Sequence, residues 1–390
     1  MDALKQVEST VRSREGNLLD LSHRIHAHPE LGFEEHDSSR WCAEALSAEG
    51  FDVDTGVGGL DTAFIASRGE GPLHLVFCAE YDALPGIGHA CGHNMIAAMS
   101  VGAGIGLGAL ADDLGVRVSV YGTPAEEIGD AGGKIRMLEA GLFEGVHAAM
   151  MLHPGPVDAG NVPWNAASMF DVHYHGKEAH AAAAPDLGVN AADALTVAQT
   201  AIGLLRQHLD PDALVHGIVT HGGEAPNIVP AHTTARFIVR APDMARMDRA
   251  KERVLDCFRA GATATGATLE IQGGASPYAE VRNDPVLMKL YEEEAVAVGR
   301  DLAPSSGFGS GGRGAASTDM GNVSQVIPSI HPLIGIDSSP AVPHQPEFAA
   351  HAAGAVADRA VVEGAAALAR AAVRMASDEA VRTRLLGREG

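Results

Sequence analysis

Three short apolar runs, residues 73–79, 116–121 and 148–152, are separated by two helix-like stretches, 95–111 and 132–141. A nearly unbroken apolar run of this length is the pattern of a strand buried on both faces. The glycine- and alanine-rich stretch 95–111 reads as a buried helix, and 132–141 as a helix with glycines at both ends. Strands that alternate with helices leave few architectures open. They predict βαβ units on a mainly parallel sheet. Such sheets take their ligands beyond the carboxyl ends of the strands.

Residues with metal-binding chemistry stand at those ends. Cys91 and His93 lie in Ala90-Cys91-Gly92-His93-Asn94, after the first run. Glu126 and Glu127 follow the second run, and His153 ends the third. His344 lies far along the chain, after Pro343. One thiol, several imidazoles and a carboxylate pair at strand ends have the look of a two-metal hydrolase site with its own general base. In an extended or tightly turned segment Cys91 and His93 can point to one side, with Gly92 letting the backbone bend around an ion. A thiolate and an imidazole suit zinc, with manganese and nickel open. Adjacent glutamates diverge, so one can bind metal while the other takes a proton from water. Taken singly, each residue has an ordinary explanation: a solvated acidic turn, a core histidine, a surface histidine. The joint placement favours a site. Of the nineteen histidines, His74, His147, His173, His175, His221 and His232 read as structural or exposed. Cys42, Cys78 and Cys257 read as inert core thiols, and four cysteines make no disulfide framework.

After residue 165 the pattern changes. Strands at 169–175, 214–221, 233–240 and 268–272 alternate with helices at 190–209 and 244–261. This β-α-β-β-α-β order predicts a ferredoxin-like α+β unit with helices on one face of an antiparallel sheet. From Asp284 the chain returns to helices. The expected organisation is an α/β catalytic domain over residues 1–166 and 277–390, with a lid unit over 167–276 inserted in it. Residues 5–50 read as two helices around 26–35, 307–314 as a loop, and the last ten residues as frayed. A net charge of −22 argues against nucleic acid or an anionic membrane as partner. The amino terminus lacks a charged segment followed by an apolar one, and 95–111 is too short and too glycine-rich to span a bilayer. The expected location is the cytoplasm.

Seven segments, in order, resemble the two-metal aminoacylase/carboxypeptidase family of metallopeptidases. They are His28-Pro-Glu-Leu-Gly-Phe-Glu, Glu80-Tyr-Asp-Ala-Leu-Pro-Gly, His89-Ala-Cys-Gly-His-Asn, Gly122-Thr-Pro-Ala-Glu-Glu, Met151-Leu-His-Pro, Gly176-Lys-Glu-Ala-His-Ala-Ala and Asn227-Ile-Val-Pro. Cys-Gly-His resembles the branch of amidohydrolases acting on acyl-amino acids. Residues 80–94 and Ser317-Thr-Asp-Met-Gly-Asn-Val-Ser resemble its aminobenzoyl-glutamate hydrolase and β-alanyl dipeptidase members. Much of the branch has Asp where this chain has Asn94.

The resemblance implies roles residue by residue. Cys91 would bridge two divalent ions, zinc or manganese with nickel or cobalt as alternatives. His93 and His153 would complete one ion's shell, and Glu127 and His344 the other's. Glu126 would be the general base, and Asp82 would orient a ligand. His180 would be a lid histidine that meets the oxyanion, across a homodimer in many relatives, and Asn227 and Arg240 would hold the substrate carboxylate. The implied activity is hydrolysis of the amide in an N-acyl-amino acid or small dipeptide-like compound. An alternative is removal of ammonia from a small aromatic amine by the same metals. A binding protein that has lost catalysis is disfavoured by the intact Glu126.

Overall fold

The computed structural model describes residues 2–303 and 316–387. The expected loop at 307–314 lies outside the described residues. In chain order the strands are β1 (Asp52–Thr55), β2 (Phe64–Arg68), β3 (Leu73–Ala79), β4 (Val116–Gly122), β5 (Ala148–Met150), β6 (His153–Gly155), β7 (Ala166–His175), β8 (Leu214–His221), β9 (His232–Ala241), β10 (Thr268–Gly273), β11 (Ser329–Ile330) and β12 (Leu333–Gly335).

The central sheet has the order β1-β2-β4-β3-β5-β11. β4, β3, β5 and β11 run parallel, while β2 is antiparallel to β4 and β1 to β2. Every residue of β3 is buried, because helices cover both faces. On one face lies the helix His93–Gly108, whose residues are all buried. Its glycines permit the approach: a Cβ on Gly104 would come within 2.3 Å of Val120 and one on Gly102 within 2.8 Å of Leu18. The long helix Ala355–Ser377 packs behind it. On the other face Met137, Met320 and Val323 pack against Val76, Cys78 and Tyr121. β6 and β12 form a separate parallel pair beside this sheet.

The second sheet is antiparallel with the order β10-β7-β9-β8, which is the ferredoxin-like order for this sequence of elements. Helices Ala191–Leu205 and Met244–Thr265 cover one face. Val172 and Tyr174 turn toward those helices, and the alternate residues Asp171 and His173 face the opposite side. Asn190 and Asp243 each cap the helix they start, their side chains accepting backbone amides of its first turn. The chain crosses between the sheets at Ala167 and Tyr278, which exchange two backbone hydrogen bonds of 2.9 and 2.8 Å.

Several expectations need correction. The amino-terminal segment forms three helices, Ala3–Arg12, Glu15–Ala27 and His36–Ala48; the break at Ser13-Arg14 splits what the apolar spacing presents as one. β1 and β2 are additional, short antiparallel strands, and β1 is largely exposed and polar. The carboxyl-terminal segment is not frayed over its described part. It forms the helix Glu379–Leu386, capped by Asp378 and anchored by the buried Val381 and Leu385.

Candidate metal centre

Cys91 and His93 do not share one side of an extended segment. Gly92 between them is a left-handed N-cap, and His93 is the first residue of helix His93–Gly108. Glycine is required there twice over: its φ is +79°, and a Cβ would lie 2.8 Å from Pro154. The tight turn still aims both side chains into one space at the carboxyl end of the central sheet.

Cys91 Sγ lies 3.4 Å from His153 Nε2 and 3.7 Å from His344 Nε2. His153 Nδ1 is 2.7 Å from the carbonyl of Pro154. A proton donated there leaves Nε2 a free lone pair facing the thiol. His344 arrives from a distant loop. Its φ is +71° and its N–H donates to Ala90 at 2.8 Å, which ties the loop to the Cys91 segment. His344 Nε2 is also 3.5 Å from Glu127 Oε1. His93 Nδ1 meets Asp82 Oδ1 at 2.9 Å. Its Nε2 faces Glu80 at 3.5 Å, Glu127 at 3.9 Å and Glu126 at 4.0 Å.

Beside a group of His93, Glu126 and Glu127, two ligand sets contain the thiol, Cys91–His93–His153 and Cys91–Glu127–His344, each with donor atoms within 4.8 Å of one another. Cys91 is common to both. His93 Nε2 and Glu127 Oε1 are buried and have no hydrogen-bond partner, a condition that folded proteins avoid. A pair of divalent ions would satisfy both atoms, and thiolate, imidazole and carboxylate are a fitting donor set.

Electrostatics separates the two glutamates. Burial, then the charges of Glu80 and Glu127, push the Glu126 carboxyl well above the usual range. Burial acts the same way on Glu127, but His344 and His93 outweigh it and hold Glu127 low. One carboxyl thus favours keeping a proton and its neighbour favours charge. Burial, then Glu127, raises the Cys91 thiol, so a cation is needed for it to ionise. Asp82 also stays ionised, with burial outweighed by His93. Its second oxygen accepts the Glu127 amide at 2.9 Å.

Three residues escape the sequence reading. Lys134 is wholly buried, and its ammonium pairs with Asp319 at 2.7 Å and with Glu80. Asp319 also accepts the Lys134 amide at 2.9 Å. Carboxyl oxygens of Glu80, Glu126 and Asp319 lie within 4.8 Å of one another, so Lys134 is the cation that offsets this acidic corner. Glu80 directly ends the first apolar run and meets the same strand-end criterion as the other candidates. Lys134 follows Gly132-Gly133, and a Cβ on Gly133 would lie 2.1 Å from the Pro124 carbonyl.

The residues of the second sheet divide. Arg240 on β9 donates to Ser317 at 2.8 Å and feels the charges of Glu126 and Glu127, while burial lowers its pKa. His180 and Asn227 sit together elsewhere: His180 Nδ1 accepts the Ala182 and Ala183 amides at 3.2 and 3.1 Å, and the Asn227 carbonyl accepts the Ala181 amide at 3.0 Å. Their hydrogen bonds stay within those loops. A cleft opens at Glu127, with Leu31 and Ala83 on one wall and Asp171 and Arg236 of the second sheet on the other.

A family model described as a peptidase dimerisation domain matches residues 166–265. The chain is 39% identical to the Xaa-Arg dipeptidase of Mus musculus over 367 residues, covering 90% of this chain and 84% of that protein. It is 32% identical to one of the p-aminobenzoyl-glutamate hydrolase polypeptides of Escherichia coli over 288 residues, covering 68% of this chain and 59% of that one. Among solved structures it resembles a dinuclear metal-binding peptidase from the M20 family of Bacillus subtilis, with a TM-score of 0.68, 22% identity, and coverage of 93% and 98%.

Proposed function

This chain belongs to the M20 family of metal-dependent peptidases and amidohydrolases, and on that premise we propose that it hydrolyses dipeptides, with a cationic carboxyl-terminal residue preferred. The observation that carries this reading is the thiol of Cys91, shared by two ligand sets with the buried Glu126 carboxyl beside them. In it Cys91, His93 and His153 would hold one divalent ion and Cys91, Glu127 and His344 the other, zinc or manganese. The ions supply Lewis acidity toward the amide carbonyl and lower the pKa of water. Glu126 takes a proton from water as its oxygen bonds to the carbonyl carbon. It then gives that proton to the amine nitrogen as the C–N bond breaks. Asp82 holds the His93 ring, and Arg240 binds the substrate carboxylate. The cation preference is supported by the cleft, where among the described residues Glu34, Asp130 and Asp171 line the wall with one cation, Arg236, which is itself paired with Asp171.

The test is metal analysis together with a screen of Xaa-Arg and β-alanyl dipeptides and aminobenzoyl-glutamate. Two ions per chain and turnover on a dipeptide are expected, with Cys91→Ser losing both. Arg240→Ala should raise KM several-fold for free carboxylates and far less for the amides. Release of ammonia without cleavage of an acyl or peptide bond would replace hydrolysis by deamination. Full metal content and full turnover in Cys91→Ser would remove the shared thiol.

A homodimer formed through the second sheet completes the proposal, with His180 reaching the partner's site to meet the developing oxyanion. It is supported by the match to a dimerisation domain and by β8, an edge strand whose Ile218 and Val219 are exposed. Mixed dimers of His180→Ala and Glu126→Gln chains should recover activity. No recovery in demonstrated mixed dimers would confine His180 to its own subunit. No described helix is long and apolar enough to cross a membrane. A cytoplasmic location is supported by four unpaired cysteines, and cell fractionation checks it.

A further inference from the structure

Three consecutive residues, Ala125, Glu126 and Glu127, have their backbone held by three side chains from distant segments. Glu35 accepts the Ala125 amide at 2.8 Å. Tyr278 donates its hydroxyl to the Glu126 carbonyl at 2.6 Å. Asp82 accepts the Glu127 amide at 2.9 Å. Tyr278 also accepts the Gly129 amide at 3.2 Å, which fastens the far side of the same loop.

The loop needs such holding. Ala125 has a φ of +58°, a left-handed conformation that costs a residue with a side chain about 1–2 kcal/mol. Relaxation there would rotate the following peptide and swing both carboxylates out of place. Glu35 is wholly buried, and its other oxygen accepts a hydrogen bond from Thr62 Oγ at 2.9 Å. Burial and the charge of Asp82 push it up to about 7. A carboxyl is therefore kept in the interior, at a cost, to serve one amide and one hydroxyl. The preceding segment also presses on the turn: a Cβ on Gly32 would lie 3.0 Å from Ala125 and 2.9 Å from Ile128.

We propose that Glu35 and Tyr278 are positioning residues that lock the Ala125–Glu127 backbone, so that one glutamate reaches the water and the next reaches the ions. This rests on the reading of Glu126 as base and Glu127 as ligand. Displacements of about 1 Å in such a constellation cost roughly 10²-fold in rate, and partners that orient metal ligands are worth about 10–100-fold in affinity or activity. A role in stability alone would lower the unfolding midpoint and leave the folded enzyme's kcat and metal spectrum unchanged.

The experiment uses the full chain and the variants Tyr278→Phe, Glu35→Ala and Glu35→Gln. It measures kcat and KM on a cleaved dipeptide, and titrates the metal-free protein with cobalt(II), followed by its visible absorption. Tyr278→Phe keeps the ring and removes only the hydroxyl. It and Glu35→Ala should lose about tenfold or more in kcat with KM nearly unchanged. Each should bind one of the two cobalt ions more weakly, with an altered spectrum. Glu35→Gln should recover most of the loss, because its amide oxygen can accept from Ala125 and its NH2 can donate to Thr62. Wild-type kcat and a wild-type cobalt spectrum in folded Tyr278→Phe would overturn the proposal. Full turnover in Glu126→Gln would instead sink the reading beneath it, so the two failures are distinguishable. If Glu35→Ala does not fold, Tyr278→Phe decides alone.

Discussion

Glu126→Gln should lower turnover by about 10²–10⁴-fold, the usual value of a general base, while both ions remain bound. The substitution preserves size and removes the ability to take a proton. It also removes none of the atoms in the two sets that share Cys91. Glu127→Gln, one residue away, should weaken metal binding first, because Glu127 Oε1 belongs to a ligand set and faces His344 at 3.5 Å. The contrast is measured by elemental analysis beside steady-state kinetics. A metal-poor Glu126→Gln and a metal-rich, slow Glu127→Gln would exchange the two assignments.

Lys134→Met should cost about 3–5 kcal/mol of stability, the range for breaking a buried ion pair by removing one partner. Methionine is close in length and apolar, so packing is largely kept. What is lost is the cation that contacts both Glu80 and Asp319, two buried carboxylates. Both would then have to protonate or unfold the corner where helices Gly133–Glu139 and Met320–Val326 begin. The denaturant midpoint reports the change at constant slope. A midpoint equal to that of the unaltered protein would show that the pair contributes nothing net.

The parallel centre of the fold is legible because β3, β4 and β5 are covered on both faces and so must be apolar at nearly every position. β1 and β2 are not legible. They lie toward one edge of the sheet, and β1 has exposed positions that accept Asp and Thr without penalty. The same logic divides the candidate site. Glu126 and Glu127 stand just beyond the end of β4, where the sequence directs attention. Cys91 lies instead in the loop that leads from β3 into the helix His93–Gly108, and His153 does not end the third strand but opens the separate strand β6. His344 is placed by one backbone hydrogen bond to Ala90, across a separation in sequence that no periodicity can report. Lys134 is hidden because a lysine on a short helix ordinarily points to water; only the two carboxylates beside it explain its burial. Glu35 and Tyr278 act through backbone atoms, and hydrogen bonds to backbone leave no signature in side-chain type.

Ala167 and Tyr278 exchange both of their backbone hydrogen bonds, so their Cα atoms stand about 5.5 Å apart. Everything between them leaves and re-enters the rest of the chain through that narrow gap. In engineering terms the segment is a cassette with matched ends. A two-residue turn could bridge the gap without moving β3, β4 or β5, and a foreign unit with equally close termini could be spliced in at the same place. The metal-binding half would then be an exchangeable chassis, its selectivity supplied by whichever cassette it carries.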